Sequence, residues 1–278
     1  TVRTPPRTLS KRPASTMLVE RALLVARACS LAFLPPYAIP YSPYATDLRC
    51  IGQVEDPQSL SGATILACPD DEVIIACRGS SNIRNFRTNF DIGPVPLETS
   101  DGDRIQLGGQ VHSGFQKAAQ QLWQQVEPQL PPTGRLTVTG HSLGGGTATL
   151  LALYARARGM DTSLVTVAGP RLGTKAFAAY FRESCGEGSA VHLLHDADDV
   201  IRSNKQLWDN LGFEHVGRVV QCDKDAPCIY EDSEAVCLMG DASDGPPSLR
   251  GVLVDHCMYM GVYIGLRAKH PGVWLRPP

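Results

Sequence analysis

The 278-residue chain has little net charge: 26 Lys and Arg stand against 28 Asp and Glu, a formal balance of -2. A broad basic face for nucleic acid is therefore not indicated. No apolar run reaches the roughly 18 residues that crossing a bilayer requires. The nearest, residues 19–34, is interrupted by Glu20, Arg21 and Arg27. There is no Asn-x-Ser/Thr acceptor for N-glycosylation, no Cys-x-x-Cys pair and no Cys/His spacing suited to zinc. Residues 221–244 are strongly acidic, but they lack the ordered acid and glycine spacing of an EF-hand loop and read as a solvated acidic loop. No metal site is expected. With 43% hydrophobic and 19% charged residues the chain can bury a core and is not globally disordered. Its length fits one large domain over residues 1–278.

Cysteine, by contrast, is not scarce. The nine are Cys29, Cys50, Cys68, Cys77, Cys185, Cys222, Cys228, Cys237 and Cys257. That content favours an oxidising compartment, and with it secretion and disulfide bonds. An odd number leaves at least one outside any pairing within the chain. Cys77 and Cys257 sit in apolar runs and read as buried thiols, whereas Cys222, Cys228 and Cys237 crowd one loop-like stretch. The first segment carries Arg3, Arg7, Lys11 and Arg12 with no uncharged apolar core behind it, so no signal peptide is visible.

The pattern along the chain is strand alternating with helix. Residues 1–16 read as a basic arm. Residues 19–34 read as a helix, with Leu24, Ala28 and Leu31 facing the core, that Pro35 and Pro36 end. Residues 35–44 hold four prolines and three tyrosines and read as a rigid wrap without regular structure. Strand-like runs occur at 72–77, 135–139, 164–168 and 190–194, and helix-like segments at 113–129, 143–158 and 174–183. Residues 93–109 and 221–244 read as surface loops, and residues 270–278 as a surface tail. The continuous apolar runs suit a central sheet covered on both faces, and the alternation predicts an α/β fold.

One motif carries chemistry. Residues 135–150 read RLTVTGHSLGGGTATL, a strand entering Gly140-His141-Ser142-Leu143-Gly144 and a small-residue helix leaving it. This is the G-x-S-x-G nucleophile elbow in the context it requires. The chain must turn sharply there, and side chains two positions either side of the serine would collide. Ser142 would sit at a helix N-terminus that favours developing negative charge. A serine nucleophile needs a base and an orienting acid, in the chain order Ser, Asp, His for this fold. Order and context leave His215 and His256 of the seven histidines, with His256 better anchored. Asp196, Asp198 and Asp199, just past a strand end, compete for the acid. Oxyanion donors should be the backbone N–H of Leu143 and a group after an early strand, where Arg78-Gly79-Ser80-Ser81 follows residues 72–77.

These segments resemble the fungal-type class 3 lipases, a family of secreted acylglycerol lipases with related feruloyl esterases. The resemblance is carried by ACRGSSNIRNF (76–86), GGQVHSGF (108–115), TGHSLGGGTA (139–148), AGPRLG (168–173), HDADDV (195–200) and DHCMYMG (255–261). It implies an α/β-hydrolase fold with a mostly parallel central sheet and a short helical lid at about residues 81–92. The lid would include Ser81, Asn82, Ile83, Arg84, Asn85 and Phe86. It also implies Ser142 as nucleophile, Asp198 as acid, His256 as base, and Ser80 and Leu143 as the oxyanion donors, with structural roles for His112 and His215. The expected activity is hydrolysis of acylglycerols at a lipid-water interface, without cofactor, nucleic acid or stable membrane insertion. Phe86, Arg87, Asn89 and Ile201 depart from common family residues. The alternatives are a mono- and diacylglycerol-preferring lipase, a phospholipase A1 or a feruloyl-type esterase; a non-catalytic lipid-binding relative would be expected to lack one of the three catalytic residues.

Overall fold

The computed structural model describes residues 15–79, 93–230 and 255–265, apart from residues 58, 60 and 133. The chain enters on α1 (Thr16–Leu31), which begins three residues earlier than the composition suggests. Ala22, Val25, Ala26, Cys29 and, on the adjoining face, Ala28 and Leu31 are sealed from solvent. The Pro/Tyr-rich stretch is more regular than expected: residues Pro36–Tyr41 form a 3-10 turn. Proline fixes φ near the helical value, so its pre-set angle is compatible with a tight turn even where the donor is lost.

Three antiparallel strands follow: β1 (Arg49–Asp56), β2 (Ser61–Ala67) and β3 (Glu72–Arg78). The first two were not visible as strands in the sequence. After β4 (Pro94–Pro96) and β5 (Gln110–His112) come α2 (Ser113–Val126), β6 (Arg135–His141), α3 (Leu143–Ala157) and β7 (Asp161–Val167). Then β8 (Gly173–Thr174), α4 (Lys175–Cys185), β9 (Ala190–Leu194), α5 (Asp199–Ser203) and α6 (Lys205–Leu211). The last elements are β10 (Phe213–Glu214), β11 (Arg218–Cys222), β12 (Ile229–Tyr230), β13 (Met258–Tyr259) and β14 (Val262–Tyr263). Thus β4 lies within the expected loop 93–109, and the expected acidic loop at 221 begins inside a strand.

The main sheet runs β1-β2-β3-β6-β7-β9-β11-β12. Its centre is parallel, β3 to β11, and its flanks are antiparallel. Both faces are covered, which is why β3 and β6 are buried over most of their length. One core holds α2, α3 and α4 with Trp123, Phe115, Phe177 and Phe181. On the other face α1 packs with Val165, Leu193 and Trp208. This is an α/β-hydrolase architecture. Among the described residues no disulfide joins Cys29, Cys50, Cys68, Cys77, Cys185, Cys222 and Cys228, and Cys237 lies outside the described residues. Cys29 and Cys77 belong to opposite face clusters of the sheet, and burial pushes the Cys29 thiol up to about 12.

A cavity of about 900 Å³ opens at the N-terminal ends of the strands, lined among others by Arg21, Leu24, Cys68, Glu72 and Arg135. Cys68, Asp70 and Glu72 cluster there. Glu72 is held by Arg21 and Thr137, and Asp70 by Arg135 at 2.6 Å. This end is remote from the strand ends that carry Ser142 and Asp198.

Candidate active site

Ser142 stands between the end of β6 and the start of α3, at φ 55° and ψ -126°. A non-glycine residue there is strained and persists only where its surroundings over-determine it. The surroundings do so. Its N–H donates to the Val167 carbonyl at 3.0 Å, and its own carbonyl accepts from Gly145 at 2.9 Å. A Cβ on Gly140 would lie 2.2 Å from the Gly144 carbonyl oxygen, and one on Gly144 would lie 2.2 Å from the Cys77 carbonyl oxygen. The crossing of strand and helix is therefore closed to any other residue at these two positions. Leu143 and Gly144 open α3, so their N–H groups have no acceptor within the helix. The end of β3 runs against the elbow, since a Cβ on Gly79 would meet the His141 carbonyl at 2.8 Å. Ser80 and the residues expected to form a lid, Ser81, Asn82, Ile83, Arg84, Asn85 and Phe86, lie outside the described residues, as do Arg87 and Asn89.

Of the three competing carboxylates, Asp198 is the one turned inward. It is fully buried, whereas Asp196 is exposed and Asp199 lies 3.8 Å from Arg202. Asp198 caps α5, accepting from the N–H groups of Val200 at 3.0 Å and Ile201 at 3.2 Å. His256 Nδ1 lies 2.8 Å from its Oδ2 and 3.0 Å from its Oδ1, and the Tyr259 hydroxyl donates to Oδ2 at 2.6 Å. Burial pushes this carboxyl up, but the His256 charge and the His256 and Tyr259 hydrogen bonds together bring it down to about 2. Burial and the neighbouring carboxylate drive the Tyr259 hydroxyl well above its ordinary value, so it remains a donor.

His256 is also fully buried, and its Nε2 is sealed with no hydrogen-bond partner among the described residues. The Ser142–His256 hydrogen bond is thus not formed, although Ser142 follows His141, whose ring packs 4.8 Å from that of His256. Such bonds are often loose before substrate binds. His215, the other histidine left by sequence order, is elsewhere. It stacks on His192 at 4.5 Å, and both its ring nitrogens are sealed although the residue as a whole is only half-buried. His112 caps α2, accepting from Gly114.

The sequence pattern of the family described as Lipase (class 3) matches residues 74–207. Over that stretch, just under half of the chain, the sequence is similar to the class 3 lipase family. The secreted mono- and diacylglycerol lipase 1 of Fusarium solani is 34% identical over 137 residues, 47% of this chain and 39% of that one. The lipase of Rhizomucor miehei is 29% identical over 211 residues, 70% of this chain and 53% of that one. The chain thus spans about half or less of the length of these relatives. In fold it is similar to a solved triacylglycerol lipase with a serine-protease triad, at a TM-score of 0.69 and 23% identity, covering 92% of this chain and 99% of that one.

The family match runs from β3 to α6 and includes Ser142 and Asp198. It stops short of His256, which the geometry alone places against Asp198. Three residues escaped sequence reasoning: Tyr259 on the acid, and His141 and His195 on the segment that carries His256. Tyr259 lies in the quoted DHCMYMG segment, but nothing local marks a tyrosine as the partner of a carboxylate 61 residues earlier.

Proposed function

We propose that this chain is a secreted serine esterase that hydrolyses acylglycerols at a lipid-water interface by two-step acyl transfer. The observation that carries this reading is the sealed Asp198–His256 couple at 2.8 Å, with an unpartnered Nε2, beside a serine held at positive φ. In the proposed reaction His256 takes the Ser142 proton as Oγ attacks the ester carbonyl. Asp198, ionised over the working range, stabilises the imidazolium that forms. The oxyanion receives the Leu143 N–H at the start of α3, and Ser80, next after Gly79, supplies the second donor. The alcohol leaves with a proton from His256. Water, activated by the same ring, then releases the fatty acid. Residues 81–92 form the lid in this reading, and chain 1–278 acts as one domain.

Secretion is supported by the Fusarium relative, which is named a secreted lipase. The same relative is named for mono- and diacylglycerols, which favours partial glycerides as a second reading of the substrate. The test is hydrolysis rate against concentration, through the solubility limit, on matched mono-, di- and triacylglycerols. A rate that jumps at the interface and is strongest on triacylglycerol gives the broad lipase. Turnover confined to mono- and diacylglycerols gives the second reading. Ser142→Ala is expected to lose at least about 10⁴-fold in kcat; wild-type activity in that variant would refute the assignment.

A further inference from the structure

The proposed base sits in a short described stretch, residues 255–265. The named elements there are the two-residue strands β13 and β14. His256 itself lies in neither strand, and its neighbour Asp255 is the first residue described after residue 230. Yet its Nε2 has to be aimed at Ser142 within a few tenths of an ångström.

Two histidines reach this segment from the main sheet. His141 Nε2 lies 2.7 Å from the His256 carbonyl oxygen, and His195 Nε2 lies 2.8 Å from the Asp255 carbonyl oxygen. Carbonyls only accept, so each ring has to carry its proton on Nε2 and donate it. The two carbonyls bracket the Cα of His256, so the pair fixes the backbone on both sides of the base. The rings are wedged as well: His141 packs 4.8 Å from His256 and His195 packs 4.3 Å from Tyr259. Both histidines are almost fully buried. Lys224 Nζ adds an ion pair to the Asp255 carboxylate at 2.9 Å.

Their origin gives the arrangement its meaning. His141 ends β6 and immediately precedes Ser142. His195 follows β9 and stands three residues before Asp198. The two strands flank β7 in the sheet. The stretches that carry nucleophile and acid therefore each carry one clamp onto the base. We propose that His141 and His195 are positioning residues that lock His256 to the elbow and to the acid loop, so that the three reacting side chains share one frame. This rests on the Ser142–His256–Asp198 reading above.

The test compares His141→Met and His195→Met, which keep bulk and lose the donor, with His141→Gln and His195→Gln, which keep an N–H at similar reach. Hydrolysis of p-nitrophenyl butyrate is measured, with near-ultraviolet circular dichroism as the check on folding and Ser142→Ala as control. Each Met variant is expected to lose about 10- to 100-fold in kcat with KM unchanged, and each Gln variant to recover most of that loss. Folded Met variants within about twofold of wild type, or Gln variants as impaired as Met variants, would overturn the clamp. If a Met variant does not fold, the wild-type enzyme still decides: ¹⁵N NMR of the histidine rings should find both on the Nε2–H tautomer, and an Nδ1–H tautomer on either overturns the proposal. Activity surviving in Ser142→Ala would instead sink the acyl-enzyme reading, while a dead Ser142→Ala with unaffected Met variants sinks only the clamp.

Discussion

In the proposed mechanism the elbow around Ser142 and the segment around His256 contribute one reacting side chain each, but they are built by opposite means. The elbow is a junction of regular elements. Its geometry comes from strand register, a helix start and glycines that let two backbones touch. The described part of the histidine segment, residues 255–265, has little regular structure, and distant side chains hold it: His141, His195 and Lys224 reach into it, and its own Tyr259 reaches out to Asp198, at sequence separations from 31 to 115 residues. A junction of backbones tolerates little change at a few positions. A segment held by side chains spreads the task, so each contact should matter less by itself.

Four variants or conditions probe that contrast, starting from the largest expected effect. Asp198→Asn keeps the shape of the cap on α5 but offers His256 an amide, which favours the wrong tautomer; kcat should fall about 10⁴-fold with unfolding unchanged to first order. An intact kcat would mean that another carboxylate serves the base. Gly144→Ala drives a methyl into the Cys77 carbonyl, where backbone rather than a flexible side chain has to yield. It should destabilise the protein by about 4 kcal/mol or more, read as a shifted urea midpoint, and a loss below about 1 kcal/mol would show that the junction can relax.

The third change tests the side-chain-held region. Tyr259→Phe removes one donor from a charged, buried acceptor, so about 1.5–3 kcal/mol of stability should go. The Asp198 carboxyl should titrate at a higher pH than in the wild type, since a contact that lowers it is lost. Denaturant unfolding at pH 7 and NMR titration of the Asp198 carboxyl check the two parts.

The fourth is pH. Burial lowers His141 to about 3 and His192 to about 4, and His215 falls well below its ordinary value. Groups with depressed native values bind their protons in the unfolded chain first. Stability should therefore be level above pH 6.5 and fall below it, by up to about 1.4 kcal/mol per pH unit for each ring, until the native values are reached. Asp198 acts lower: its contribution is present above about 3.8 and is lost as pH falls through about 2. Urea midpoints at pH 7.5, 6.5, 5.5 and 4.5 test this, and a flat profile to pH 4.5 would mean that the rings take protons in the native state.

The contrast also explains what could be read in advance. The elbow was legible because its cause is local: two glycines at fixed offsets, a β run before and small residues after. The parallel centre of the sheet was legible because strands buried on both faces are continuous apolar runs. β1 and β2 were not, since Arg49–Asp56 mixes exposed and half-buried positions and Ser61–Ala67 opens with small residues. Their pairing supplies what their composition does not. Among Asp196, Asp198 and Asp199 the choice needed the family resemblance, because which carboxylate turns inward depends on a cap and on a histidine 58 residues later. The clamps on Asp255 and His256 were invisible for the same reason: each joins a strand end to a segment that no local pattern brings near.

The long reach of those contacts sets an order of assembly. A growing chain has both Ser142 and Asp198 on finished elements by the time β12 has been made, yet neither has a base until residues 255–265 have emerged and docked. Under the proposed mechanism, every shorter species on the way is inert toward esters.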